Sequence, residues 1–416
     1  MRVTDLSIQQ TYLTNYQKNK RTLQNIQQQI TTQSKVNTPS DNPLANSKIL
    51  RFGNQLGNFN TYKNNINTSI GFVQNTLLPM EGMQNEMNKV IIDLTSMNNA
   101  VVDDKLDIYA QNLDLTLATL LDFANAEYDG RYVFGGNDSS SKPFDYNAAG
   151  DKVEAKLPNI GGEHLARISK NSSQKINITG QEMFQSVYEQ RGNLDSTSAI
   201  GSVDTSNETI LDADGNEYTL TYNYTKTAAN TYDFSYDITD STAASVGSGT
   251  VNDLVFNPAS SKLTSINGGN PEEIEINIPG NKIEFQFDLT NIKENTNPTN
   301  LNLNKNQDAD IFNILISMKN KLNNGERPND NQVKMVNNFM NHLTNKMSEV
   351  GNISNKLLDA AELIDSQRLA VQEYMSIEKD VDMAEAIIEL ETSQHSLDIN
   401  YKISSMILPS SLLDYL

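Results

Sequence analysis

The sequence predicts a mainly α chain with a β-rich insert: a long-helix coiled-coil bundle built from the N- and C-terminal segments, with the inserted β domain in the middle. Three observations carry this. Apolar residues recur at alternating spacings of three and four over long stretches on both sides of the chain, the signature of helices packed along a seam. Between roughly 140 and 300 that spacing gives way to period-two alternation. The 416 residues are only 37% apolar and 7% aromatic, with no Trp, so burial must come from thin seams rather than one large core.

Residues 1–36 form an N-terminal assembly helix, with Leu6, Gln9, Leu13, Tyr16, Lys20, Leu23, Gln27 and Ile30 on its weak apolar series. The first half of a helical rod follows over 37–140. Its seam runs from Ile49 through Phe52, Leu56, Phe59, Lys63, Ile66, Ile70, Val73, Leu77, Met80, Gln84, Met87 and Ile91 to Leu94, as one long helix or two collinear ones, with a kink expected at Pro79. A second helix carrying Leu106, Tyr109, Leu113, Leu117, Leu120 and Ala124 folds back antiparallel.

The β-rich outer insert spans 141–300. EYTLTYNYT, TYDFSYDIT, EIEINI and KIEFQFDLT read as strands, and IPGNKI as the turn joining the last two. LDADGNEYTL has the Asp and Gly residues of a calcium loop but lacks its terminal bidentate Glu at the required spacing, so it reads as an Asp-Gly hairpin turn. The rod's second half, 301–376, holds a short helix with Ile311, Ile314, Leu315, Met318 and Leu322 on one face. NGERPND separates it from a long seam from Val333 to Met375 in which only Ser354 and Arg368 are polar. The last segment, 377–416, is a C-terminal assembly helix with Met383, Ile387, Leu390, Gln394, Leu397, Tyr401, Ser404 and Leu408 in series.

The formal charge of −20 argues against binding a nucleic-acid backbone or an anionic membrane. The charge is uneven: residues 1–60 carry seven Lys/Arg against two Asp/Glu, net +5, and residues 357–416 three against twelve, net −9. The two ends are therefore expected to attract each other. Residues 201–300 hold four Lys against fifteen Asp/Glu, net −11, which suits a solvated outer surface. Absence of Cys excludes disulfides and thiolate metal sites. The N-terminus lacks a signal-peptide apolar run, and no stretch is long enough for membrane insertion. Three dispersed histidines (His164, His342, His395) and no nucleophile, zinc or phosphate-loop motif indicate no catalytic residues, no cofactor, no metal and no enzyme.

Two internal stretches carry a more specific signal. VNTPSDNPLANSKIL (36–50) resembles the loop-to-helix motif of the bacterial flagellin family, with Pro39, Ser40, Asp41 and Pro43 as its markers. The prolines block helix upstream, Ser40 and Asp41 are capping candidates, and Pro43 fits a first helical turn. DGRYVFGGN (129–137) is similar to the turn leaving the second helix in members of that family that sit at the hook-filament junction. Gly130 and Gly135 permit the hairpin, and Tyr132, Val133 and Phe134 can cover the bundle end. AEAIIELETSQHSLDINYKIS and SLLDYL resemble the end of the same proteins. Gln33 departs from the family's usual Gly, and Pro409 interrupts the final helix.

The resemblance implies a structural subunit of the bacterial flagellum. Such a subunit is exported by the flagellar type III system without a cleaved signal peptide and is extracellular at the junction. Its implied partners are identical copies in a ring, the other hook-associated junction protein, hook and flagellin subunits, and an export chaperone. The assembly residues expected are Leu13, Leu23 and Ile30 against Leu390, Leu397, Tyr401, Leu413 and Leu416. Two further readings stay open: filament flagellin itself, and an exported adhesin binding glycan through surface tyrosines Tyr222, Tyr224, Tyr232 and Tyr236.

Overall fold

The computed structural model describes residues 2–97, 105–157, 160–271 and 273–407. It is mainly helical, with long helices at both ends and a β-rich middle, as the spacing predicts. The chain divides into two compact units, one drawn from residues 1–66, 168–170 and 359–416, the other from 67–167 and 171–358.

The first unit contains α1 (Arg2–Thr32), the start of α2 (Pro43–Met97), the end of α6 (Asp330–Lys379) and α7 (Met383–Ile407). Here α2 and α6 run antiparallel in the expected register. Lys48 Nζ lies 2.5 Å from Glu378 Oε1, and the Phe52 ring stacks on Tyr374 at 6.3 Å. The polar breaks in the two seams explain each other: Lys63 Nζ and Arg368 Nη2 sit 2.6 and 3.4 Å from the same Asp365 carboxylate. That carboxyl is held below the usual range, first by the Lys63 hydrogen bond. Where the chain leaves α1 and α6, two backbone bonds stitch the loops: Lys35 N donates to Lys379 O at 2.6 Å and Val381 N to Gln33 O at 3.3 Å.

The second unit holds the rest of α2 and α6, with α3 (Leu106–Ala124), α4 (Gly180–Phe184) and α5 (Ile311–Asn323). Asn112 Nδ2 donates to Asp93 Oδ2 at 3.1 Å, so α3 does fold back antiparallel along α2. The predicted α5 face, Ile311, Ile314, Leu315, Met318 and Leu322, is buried. The α5 C-terminus is closed by Gly325 at φ +79°, whose N–H donates to Leu322 O while Glu326 N donates to Lys321 O. α2 runs through Pro79 as one helix, the first of the two expected forms, but one expectation for it is corrected. Past Ile66, Ser69, Thr76, Met83 and Val90 are buried in place of the predicted Ile70, Leu77, Gln84 and Ile91, which are half-buried. A helix enclosed by several neighbours buries a stripe wider than one seam. Thr76 is tolerated there because its Oγ1 donates back to Phe72 O.

After α3, β1 (Glu127–Tyr128) and β2 (Arg131–Tyr132) pair around Asp129 and Gly130, both at positive φ, the Asp-Gly turn a two-residue hairpin requires. Val133 and Phe134 are buried, with Phe134 edge-on to Phe184 of α4 at 5.4 Å, and Tyr132 is half-buried. Short hairpins β3 (Phe144–Tyr146) with β4 (Val153–Ala155), and β5 (Leu165–Arg167) with β6 (Ser173–Lys175), follow.

The remaining strands are β7 (Val187–Asp195), β8 (Val203–Leu211), β9 (Glu217–Ala228), β10 (Thr231–Thr239), β11 (Ser245–Phe256), β12 (Leu263–Ser265), β13 (Ile274–Ile278), β14 (Ile283–Asp288), β15 (Ile292–Asn295) and β16 (Thr299–Lys305). One sheet has the order β12-β11-β10-β9-β8; in the other, β13 pairs β14, and β7 pairs in parallel with β14 and then β15 along one edge and antiparallel with β16. The sheets share a core that includes Tyr188, Tyr222, Tyr224, Phe234 and Phe287. Tyr222, Tyr224 and Tyr232 are therefore not surface residues as the adhesin reading required, and Tyr236 is partly buried against the same core. Alternation identified a buried face but not which side met solvent. The Asp-Gly turn between β8 and β9 is confirmed, with Gly215 at φ +75° and Asp212 accepting from Asn216 N and Nδ2, both at 2.8 Å. This turn is also gripped by the helices: Lys321 Nζ and Asn329 Nδ2 donate to Asp214 O at 2.7 and 2.8 Å, and Gln332 Nε2 to Ala213 O at 3.1 Å.

Candidate assembly interface

The 31-residue α1 and the 25-residue α7 pack against each other within one chain. Their contact is anchored where Tyr12 Oη donates to Asn400 O at 2.7 Å, and where the Tyr16 and Tyr401 hydroxyls bond at 3.1 Å with their rings edge-on. That bond raises the Tyr401 pKa.

The inner face of α1 is Tyr12, Tyr16, Asn19, Leu23, Ile26 and Ile30; that of α7 is Ala386, Leu390, Ser393, Leu397, Asn400 and Ser404. Both follow spacings of four and three, each in a register that differs in part from the predicted one. Of the expected assembly residues, Leu23, Ile30 and Leu390 are half-buried and Leu397 is buried on these inner faces. Leu13 is 54% exposed and Tyr401 57%. Leu413 and Leu416 lie outside the described residues. On α7 the physical reason for the shifted register is size: small Ala386, Ser393 and Ser404 occupy the contact, allowing close approach, while larger apolar residues are left on the flanks. Reading the largest hydrophobes as the seam therefore missed Ala386, whereas on α1 the regular spacing took Gln27 in place of its apolar neighbour Ile26.

Helical geometry at 100° per residue places the exposed apolar residues of α7 on two sides of that contact: Met383, Ile387 and Tyr401 on one, Ile388, Ile399 and Ile403 on the other. Lys18, Lys20, Arg21, Glu385, Glu389, Glu391 and Asp398 all remain exposed, as does His395.

The loop between α1 and α2 forms a compact turn. Asp41 accepts from Asn37 N, Thr38 N and Thr38 Oγ1, and these bonds, led by the Thr38 hydroxyl, hold its carboxyl below the usual range. Ser40 bonds Thr38. The helix cap is Asn42, whose Oδ1 accepts from Ala45 N at 3.0 Å, rather than the expected Ser40 or Asp41. Pro39 lies within the turn and Pro43 opens α2, where its missing N–H costs nothing. Gln33 occupies φ +54°, a left-handed conformation that suits Gly. Gly135 is also constrained, since a Cβ there would lie 2.9 Å from Asp138 O. Among the described residues no group of three or more His, Cys, Asp or Glu could hold a metal, and no helix is long and apolar enough to cross a membrane.

The α7 side of this interface and the seam of α6 fall in one region that matches a known family. Residues 333–416 match the bacterial flagellin C-terminal helical region. No curated protein matches the chain as a whole. Among solved structures it is similar to the flagellar junction protein FlgL from Legionella pneumophila, at 16% identity over 80% of this chain and 100% of that one, with a TM-score of 0.41. A putative flagellar hook-associated protein from Vibrio parahaemolyticus aligns at 11% identity over 82% and 99%, with a TM-score of 0.46. Xanthomonas campestris FlgL aligns at 18% over 82% and 97%, at 0.32. The flagellin-type region thus comprises nearly all of α6 and the whole described part of α7, including both apolar flanks.

Proposed function

We propose that this chain is a non-enzymatic structural subunit of the bacterial flagellum, of the hook-associated protein 3 type. It is exported unfolded by the flagellar type III system with the help of a chaperone, and it assembles outside the cell as a ring that adapts hook to filament. The observation that carries this is the flagellin-type α7, whose exposed Met383, Ile387, Ile388, Ile399 and Ile403 are apolar groups that α1 leaves uncovered. Burying each such side chain contributes about 1.5–3 kcal/mol, against ordering costs of about 1–2 kcal/mol per residue, so the lone α1·α7 pair is marginal and neighbouring copies supply the rest. The absence of Cys suits a chain threaded through a channel. Removing residues 384–416 should leave a soluble folded chain that no longer assembles; full-length polymers from that truncation would refute the proposal.

Filament flagellin shares the same C-terminal region. GRYVFGG and the SLLDYL ending favour the junction role. Electron microscopy of a deletion strain separates the two: loss of a junction subunit leaves hooks and sheds flagellin into the medium. Burial of Tyr222, Tyr224 and Tyr232 removes the premise of the adhesin reading.

A further inference from the structure

A cavity of about 900 Å³ separates the β13–β14 hairpin from the part of the helical body formed by α4, β4 and the start of α5. Carboxylates line both walls: Glu154 and Asp310 on the body, Glu273, Glu275 and Glu284 on the hairpin, with Lys152 the one cation among the lining residues. A second cavity of about 420 Å³ shares Lys152, Glu154, Glu284 and Asp310, so the crevice continues towards the β8–β9 turn. Across it Lys152 reaches Glu284 and Gln181 reaches Glu273 and Gln286, while at one end Gln286 N donates to Ser186 O at 2.8 Å.

Asp310 is the critical member. Its carboxylate caps α5 and accepts from Asn313 Nδ2 at 2.8 Å, while the same Asn313 bonds Val153 N and O on β4. Asp310 therefore sits at the meeting point of the body wall, sharing the crevice with Lys152 and Glu154 at β4, Glu273, Glu275 and Glu284 of the hairpin, and Lys282 at its turn. We propose that this crevice is a proton-operated joint, closed when Asp310 is protonated and loosened when it ionises. Ionisation adds a charge beside Glu284, and Lys152, shared with Glu284, offsets only part of it.

Burial pushes the Asp310 carboxyl up to about 6, opposed by the Asn313 hydrogen bond and reinforced by Glu284. Glu273 is raised as well, by burial and then by Asp288. Because the folded-state value lies above the unfolded one, the folded state holds the proton more tightly. The stabilisation is fully present in acid and is lost as pH rises through about 6.

Hydrogen exchange of the full chain, corrected for intrinsic rates, tests this on the peptide covering 274–288. Between about pH 5 and about pH 7.5 its protection should fall about tenfold, consistent with a shift exceeding one pKa unit. Asp310→Asn retains the cap and should hold the acid-level protection at both values. A wild-type chain with no pH response there, or an Asp310→Asn chain with the full response, overturns the proposal. So does loss of the response in Asp308→Asn. Asp308 is also raised to about 6, but its carboxylate accepts from Asn338 and is not among the residues lining either cavity.

Discussion

Single residues account for most of the departures from an ideal helical pattern. Lys63 and Arg368 look like seam defects in the sequence and become one shared interaction with Asp365 in the structure. Neither position identifies its partner from spacing alone, because the two lie on segments about three hundred residues apart. Gln33 is the clearest residue-scale cost. A non-Gly residue in the left-handed region is disfavoured by roughly 1–2 kcal/mol. Gln33→Gly should therefore raise the stability of the first unit by about 1 kcal/mol in urea unfolding, less any entropy the glycine adds to the unfolded chain. The need for glycine was suggested by family resemblance; the angle of +54° supplies its physical reason.

At the scale of elements, helices were legible wherever one seam dominates. The register from Ile49 to Ile66 and from Leu357 to Met375 is the observed one, a single stripe on each helix. Strands were legible only where alternation was clean. The β9, β10, β13 and β14 segments were identified, but β11, SVGSGTVNDLVF, is Gly- and Ser-rich and half-exposed, so it carries no usable period. The α1·α7 contact was legible as a pairing but not in register, for the reasons given above. That register makes a sharp prediction. Leu397→Asp introduces a charge into the inner face and should unfold the terminal pair, seen as lost helical circular dichroism. Ile387→Asp, on an exposed flank, should leave the monomer spectrum unchanged and abolish polymerisation followed by light scattering. Equal effects of the two on the monomer would contradict the observed inner and outer faces.

For the whole molecule, the insert is joined to the helices of its own unit through specific polar contacts as well as through covalent connections. The β8–β9 turn is the main one, and Gly215 is its constrained point: φ is +75°, and a Cβ would lie 2.4 Å from Asn329 Oδ1. Gly215→Val should destabilise the second unit by roughly 1–3 kcal/mol and split its thermal unfolding into separate sandwich and helix transitions. A single transition at unchanged temperature would show that the turn couples nothing. This docking was invisible in the sequence, where LDADGNEYTL announces a turn but not the helices that receive it. The two apolar flanks of α7 have a larger-scale consequence. A molecule adhesive on opposite sides cannot satisfy itself by forming a closed twofold pair, because each added copy leaves a new unsatisfied side until a ring closes. Growth then favours an existing end over solution, so polymer should appear after a lag that preformed seeds abolish.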